Sequence, residues 1–165
     1  MGLTNFNNKE YPSGKKTEHI FEQYKIYVES AEKVSDRRSN LNTFYLSLTT
    51  TVAGIIGYLK SNKIENSEYL IIGLSISAIL ICIYWISLLE NYRKLNSGKF
   101  EVIHEIEKEL PLNLFEYEWE KLGKGNDPKL YKKLSNVEKI IPCVFGSLFF
   151  LVIVLEIKNM IPLYL

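Results

Sequence analysis

The sequence predicts an all-α integral membrane protein with about three transmembrane helices and long helical cytoplasmic extensions. Two observations carry this. Apolar residues gather in three runs with nearly all charge between them, and no stretch alternates long enough to make a strand. Averages over the 165 residues conceal the segregation, because the net charge is only +1.

Residues 1–41 are expected to form a cytoplasmic amphipathic helix. Ile20, Tyr24, Tyr27, Val28, Ala31 and Val34 keep a helical spacing, and no Gly or Pro interrupts residues 15–53. One long helix is therefore expected to run from the polar segment through the first apolar run. This N-terminal stretch lacks the apolar core of a secretory signal. Met1-Gly2 does not complete a myristoylation motif, because Phe6 stands where Ser or Thr is wanted.

Residues 42–89 read as a transmembrane hairpin. The first run, Phe44 to Leu59, is uncharged, and Leu41 extends it by nearly a turn. About 19 residues at ~1.5 Å each just cover a ~30 Å hydrocarbon core. The second run, Tyr69 to Leu89, holds no ionisable carboxylate or base and is the clearest span. Its Tyr69, Tyr84 and Trp85 lie towards the ends, where interfacial aromatics belong.

Residues 90–139 read as a cytoplasmic helical segment. The second helix is expected to continue through a stripe of Phe100, Ile103, Ile106 and Leu110, with Gly98 as its weak point and Pro111 as its stop. A short helix from Phe115 to Leu122 and a turn over residues 123–128 follow. Residues 140–165 hold the third run, Ile140 to Ile157, and a short tail. Ser135 and Glu138 have capping-box spacing, while Pro142 predicts a kink or a later start. Glu156 lies at the far end, within reach of headgroups. A buried core helix is the alternative reading of this run.

Basic residues set the expected orientation. Seven precede the first run: Lys9, Lys15, Lys16, Lys25, Lys33, Arg37 and Arg38. Lys60 and Lys63 lie between the first two runs, ten basic residues lie in 90–139, and Lys158 follows the third run. The positive-inside rule then puts the N-terminus and the central segment in the cytoplasm and the C-terminus outside.

Nothing in the sequence assembles a reaction, and the protein is expected not to be an enzyme and to need no cofactor. His19 and His104 are far from Cys82 and Cys143, which lie in apolar runs, so no zinc site and no disulfide framework is expected. His104 reads as a solvated or interhelical histidine. Gly123-Lys124-Gly125 lacks the spacing of a phosphate-binding loop. Glu116, Glu118 and Glu120 cannot share a helix face, and read as solvated charge.

The polar content of the runs is more informative. Thr43, Ser47, Thr50, Thr51 and Gly54 share one helical face. Ala53 and Gly57 form a small-residue pair beside it, and Gly73 and Ser77 form another in the second run. Such a face serves as a packing seam within a subunit, an oligomer contact or a hydroxyl-lined pore. The absence of charge in the first two runs argues against an ion-coupled transporter. Arg37, Arg38, Arg93 and Lys94 flank the cytoplasmic ends of the first two runs. They are candidates for binding an anionic ligand, or they set topology and meet anionic membrane lipids.

Three blocks, SDRRSNLNTFYLSLTT, WISLLENYRKLNSGKFEVIHEIEKELP and EYEWEKLGKGNDPKLYKKLSNVEKIIP, resemble the RipA-family octameric membrane proteins of bacteria. The likeness runs from about Gln23 to Phe150. More loosely, the paired spans are similar to SLATT-domain membrane effectors of nucleotide-signalling defence systems. The resemblance implies a bacterial inner-membrane homo-oligomer, an octamer by that likeness. The expected function is a gated channel or membrane-perturbing effector in antiphage defence, controlled by a cytoplasmic partner protein or by a nucleotide or oligonucleotide ligand. The alternative is a non-conducting scaffold that regulates envelope enzymes.

Overall fold

The computed structural model describes residue 3, residues 13–131 and residues 134–161, with only the backbone at residues 13, 135 and 136. The readings on Met1-Gly2, Phe6, Lys9, Lys132, Lys133 and the Ser135 side chain lie outside the described residues. Among the described residues five α-helices follow one another: α1 Ser13–Ser61, α2 Glu68–Glu107, α3 Leu114–Lys121, α4 Leu134–Glu138 and α5 Ile140–Met160. Among the described residues there is no strand. As expected, α1 is one uninterrupted helix, and α2 passes through Gly98 unbroken.

Two compact units share α1 and α2. The first holds residues 1–37 and 92–133. Ala31 and Val34 of α1 are buried in it, as is Ile103 from the stripe on α2. Phe115 turns its ring edge to Phe100, 5.6 Å between centroids, and Trp119 does the same to Tyr131 at 6.0 Å. These residues form the inner face of α3, while Leu112, Leu114 and Tyr117 remain exposed.

The second unit holds residues 38–91 and 134–165. Its helices bury residues at steps of three and four on α2 and of seven on α1 and α5, the spacing that keeps a seam facing a neighbouring helix. On α2 these are Ile71, Ser75, Ala78, Cys82, Trp85 and Leu89. On α5 they are Pro142, Phe149 and Glu156, and on α1 Thr49 and Ile56. Ile56, Ile71, Ala78 and Phe149 form the central cluster, with Val52, Leu59, Phe145 and Val152 packed around it.

The count of membrane helices needs correction. Among the described residues two helices, α2 and α5, are long and apolar enough to cross a membrane, not three. The first run fails because Ser47, Thr49, Thr50, Thr51 and its glycines and tyrosines dilute its apolar character. The third run, expected to be the less certain of the later two, is the most apolar. Only 28% of the apolar window of α2 and 17% of that of α5 is buried within the chain, which is not how the core helix of a water-soluble domain behaves.

Two local expectations also change. Trp85 is not an interfacial aromatic: it is 1% exposed, donates its indole N–H to Asn42 Oδ1 at 2.8 Å and stacks on Tyr45. Tyr69 and Tyr84 do stand exposed. Glu156 does not reach outward but is 3% exposed and ion-paired with Lys60. Helix α5 starts at Ile140, close to Pro142 as expected, and Glu138 is turned to Arg38.

In the first unit, Gly123, Lys124 and Gly125 all adopt positive φ, at 63°, 54° and 67°. The left-handed region costs a side chain ~1–2 kcal/mol, which glycine avoids. A β-carbon on Gly123 would also lie 3.2 Å from Leu130 Cδ1. We expect Lys124→Gly to stabilise this unit by ~1 kcal/mol and Gly123→Ala to destabilise it by ~1–2 kcal/mol, read as opposite shifts in Tm by circular dichroism.

Candidate functional site

The face of α1 that carries Thr43, Ser47, Thr50, Thr51 and Gly54 points away from the core of the second unit, and all five residues are exposed. The hydroxyls of Thr43, Thr50 and Thr51 donate to the carbonyls of Ser39, Leu46 and Ser47, at 3.2, 2.7 and 2.8 Å. A helix satisfies hydroxyls this way when no neighbour offers a partner. A β-carbon on Gly54, Gly57 or Gly73 would meet nothing within 4 Å. The structure thus places the five predicted residues together on open surface. Thr49, one residue off that face, is fully buried, and its hydroxyl donates to the carbonyls of Tyr45 and Leu46.

On α5, Ile140, Cys143, Val144, Ser147, Leu148 and Leu151 line a second open surface, a shallow apolar trough. Both open surfaces belong to the second unit, which holds the apolar windows.

The basic candidates fall in different places. Arg38 belongs to the second unit and is committed: its Nε lies 2.7 Å from Glu138 Oε2, and Nη2 bonds the same oxygen. Lys139, the next residue after Glu138, bonds Glu90. Arg37, Arg93 and Lys94 belong to the first unit and are exposed.

The residue that sequence reasoning missed is Glu107. It is 1% exposed, and it accepts the Tyr24 hydroxyl at 3.1 Å and the backbone N–H groups of Phe115 and Glu116 at 3.0 and 3.2 Å. Asn113 makes no side-chain cap on α3, so Glu107 caps that helix from a distance. Its signal was its position: it stands one turn after the buried Ile103, in core register. His104 packs near Phe100, 6.4 Å between ring centres, and reads as a half-buried structural histidine.

Burial, then the hydrogen bond and the negative charge of Glu107, push the Tyr24 hydroxyl from its ordinary value near 10 up to about 12. The neutral phenol is the form that bonds, so its stabilisation is complete below pH ~10 and is lost as pH rises towards 12. We expect Tyr24 to be among the last of the tyrosines to ionise in an alkaline absorbance titration, and that late component to vanish in Tyr24→Phe. The same variant should lose ~1 kcal/mol or less at pH 7, because Glu107 keeps its two backbone donors.

A family model described as the octameric membrane protein family (8xMP) matches residues 21–158. No curated protein and no solved structure matches the chain.

Proposed function

This chain belongs to the octameric membrane protein family, and from that premise we propose that it forms a closed homo-oligomeric ring enclosing a hydroxyl-lined path, acting as a gated channel or membrane-perturbing effector. The observation that carries this reading is the open face of α1. Its threonine hydroxyls turn back to the carbonyls of their own helix and a β-carbon on Gly54 would meet nothing within 4 Å, while α2 and α5 are apolar enough to meet lipid. Arranging copies around an axis, as closed oligomers do, covers that face with neighbours or with water.

The orientation we propose follows from charge. Ten basic residues lie between the apolar parts of α2 and α5, so residues 90–139 belong on the cytoplasmic side of a bacterial inner membrane. Arg38 already holds a carboxylate, so we assign the basic set chiefly to topology and contact with anionic lipid. A nucleotide or oligonucleotide acting as the trigger must compete with Glu138 at Arg38 or bind elsewhere. A role in antiphage defence rests on the likeness of the sequence to nucleotide-signalling effectors.

A non-conducting scaffold for envelope enzymes is the competing reading, and reconstitution separates the two. We expect native mass spectrometry to show a closed oligomer and liposomes holding it to leak small ions. Thr50→Val with Thr51→Val should cut that flux by roughly tenfold through dewetting. An assembled ring that never conducts would favour the scaffold, and a protein that stays monomeric in every detergent would refute assembly. Orientation has its own check: a cysteine at Asn62 should react with an impermeant thiol reagent on intact cells, and one at Lys124 should not.

A further inference from the structure

The start of α5 has little local support. Helix α4 is only five residues long and ends at Glu138, and Lys139 at the N-cap of α5 makes no side-chain cap bond. Pro142 then brings no N–H to the first turn. Two consecutive side chains make up for this by gripping different helices. Glu138 takes both the Nε and the Nη2 of Arg38 on α1, and Lys139 takes Glu90 on α2.

These four side chains are 12%, 16%, 29% and 26% exposed in the order Arg38, Glu138, Lys139, Glu90. Partly buried pairs are screened far less than surface pairs, and removing one partner strands the other away from water. Their charges cancel within the group. Beyond this cluster, α5 lies over α2 where Gly146 faces Cys82: a β-carbon on Gly146 would sit 3.9 Å from that of Cys82, whose residue is 2% exposed.

We propose that Glu138 and Lys139 form an electrostatic latch that holds the first turns of α5 against α1 and α2, so that releasing it lets this end of α5 swing away and uncovers Cys82. The latch stands where the chain passes from its polar central segment into its most apolar helix. A pull on that segment would therefore reach α5 through this joint.

Native thiols report the state of the latch without any need for conduction. Cys143 is exposed and Cys82 is buried, so alkylation of the detergent-solubilised full chain by N-ethylmaleimide, read by mass, should add one label to the natural protein. In Arg38→Gln with Lys139→Gln the second label should appear, with the Cys82 rate raised about tenfold or more by the easier local opening. Lys60→Gln, which breaks the pair with Glu156 at the other end of α5, should leave Cys82 protected. Arg38→Glu alone should also expose Cys82, and adding Glu138→Arg to it rebuilds the pair with reversed sign and should restore protection, which distinguishes latch release from misfolding. The proposal is overturned by a silent Cys82 in the unlatched variant, by equal exposure in Lys60→Gln, or by failure of the charge exchange to protect.

Discussion

A polar side chain taken out of water needs a partner, and the arrangement of polar groups in the three-helix unit follows from that constraint. Hydroxyls on the open face of α1 turn back to their own carbonyls. Charged groups stand at the two ends of the bundle and are used in pairs: Lys60 with Glu156 at one end, Arg38 with Glu138 and Lys139 with Glu90 at the other. The single indole N–H buried at the seam finds the Asn42 amide oxygen. Between the ends, contact is made by Ile56, Ile71, Ala78 and Phe149, whose packing needs no hydrogen bonds.

The other unit solves a different problem. There a carboxylate is buried, and a buried carboxylate is tolerated only when hydrogen-bonded. Glu107 meets that requirement with a phenol and two backbone N–H groups. In doing so it joins α1, the end of α2 and the start of α3 at one point. The aromatic contacts among Tyr24, Phe100 and Phe115 surround that junction. Lys99 adds a further tie from α2 to α1, donating to Ser30 Oγ at 2.8 Å while its ammonium lies over the Tyr27 ring.

Periodicity and charge were legible in the linear chain because they are local properties. The long α1, the continuation of α2 past Leu89, the stop near Pro111 and the start of α5 near Pro142 all follow from apolar spacing and from where proline sits. The co-facial set Thr43, Ser47, Thr50, Thr51 and Gly54 was equally readable, since residues on one helical face are fixed by the helix repeat alone. Its exposure was not, because which face of a helix is covered depends on where its neighbours lie.

By itself, then, the sequence determined an all-helical chain, its apolar segments, the family it joins and the face on which the hydroxyls of α1 fall. Tertiary structure decided the fate of individual polar groups. Glu107 and Glu156 look like ordinary surface carboxylates until their places in the inward register are filled by Tyr24 and Lys60. Arg38 looks available to a ligand until Glu138, a hundred residues away, occupies it. Trp85 looks interfacial until Asn42 and Tyr45 enclose it. The physical reason is the same in each case: a polar group is stabilised by the specific partner brought to it in space, and pairings between distant residues leave no periodic trace along the chain.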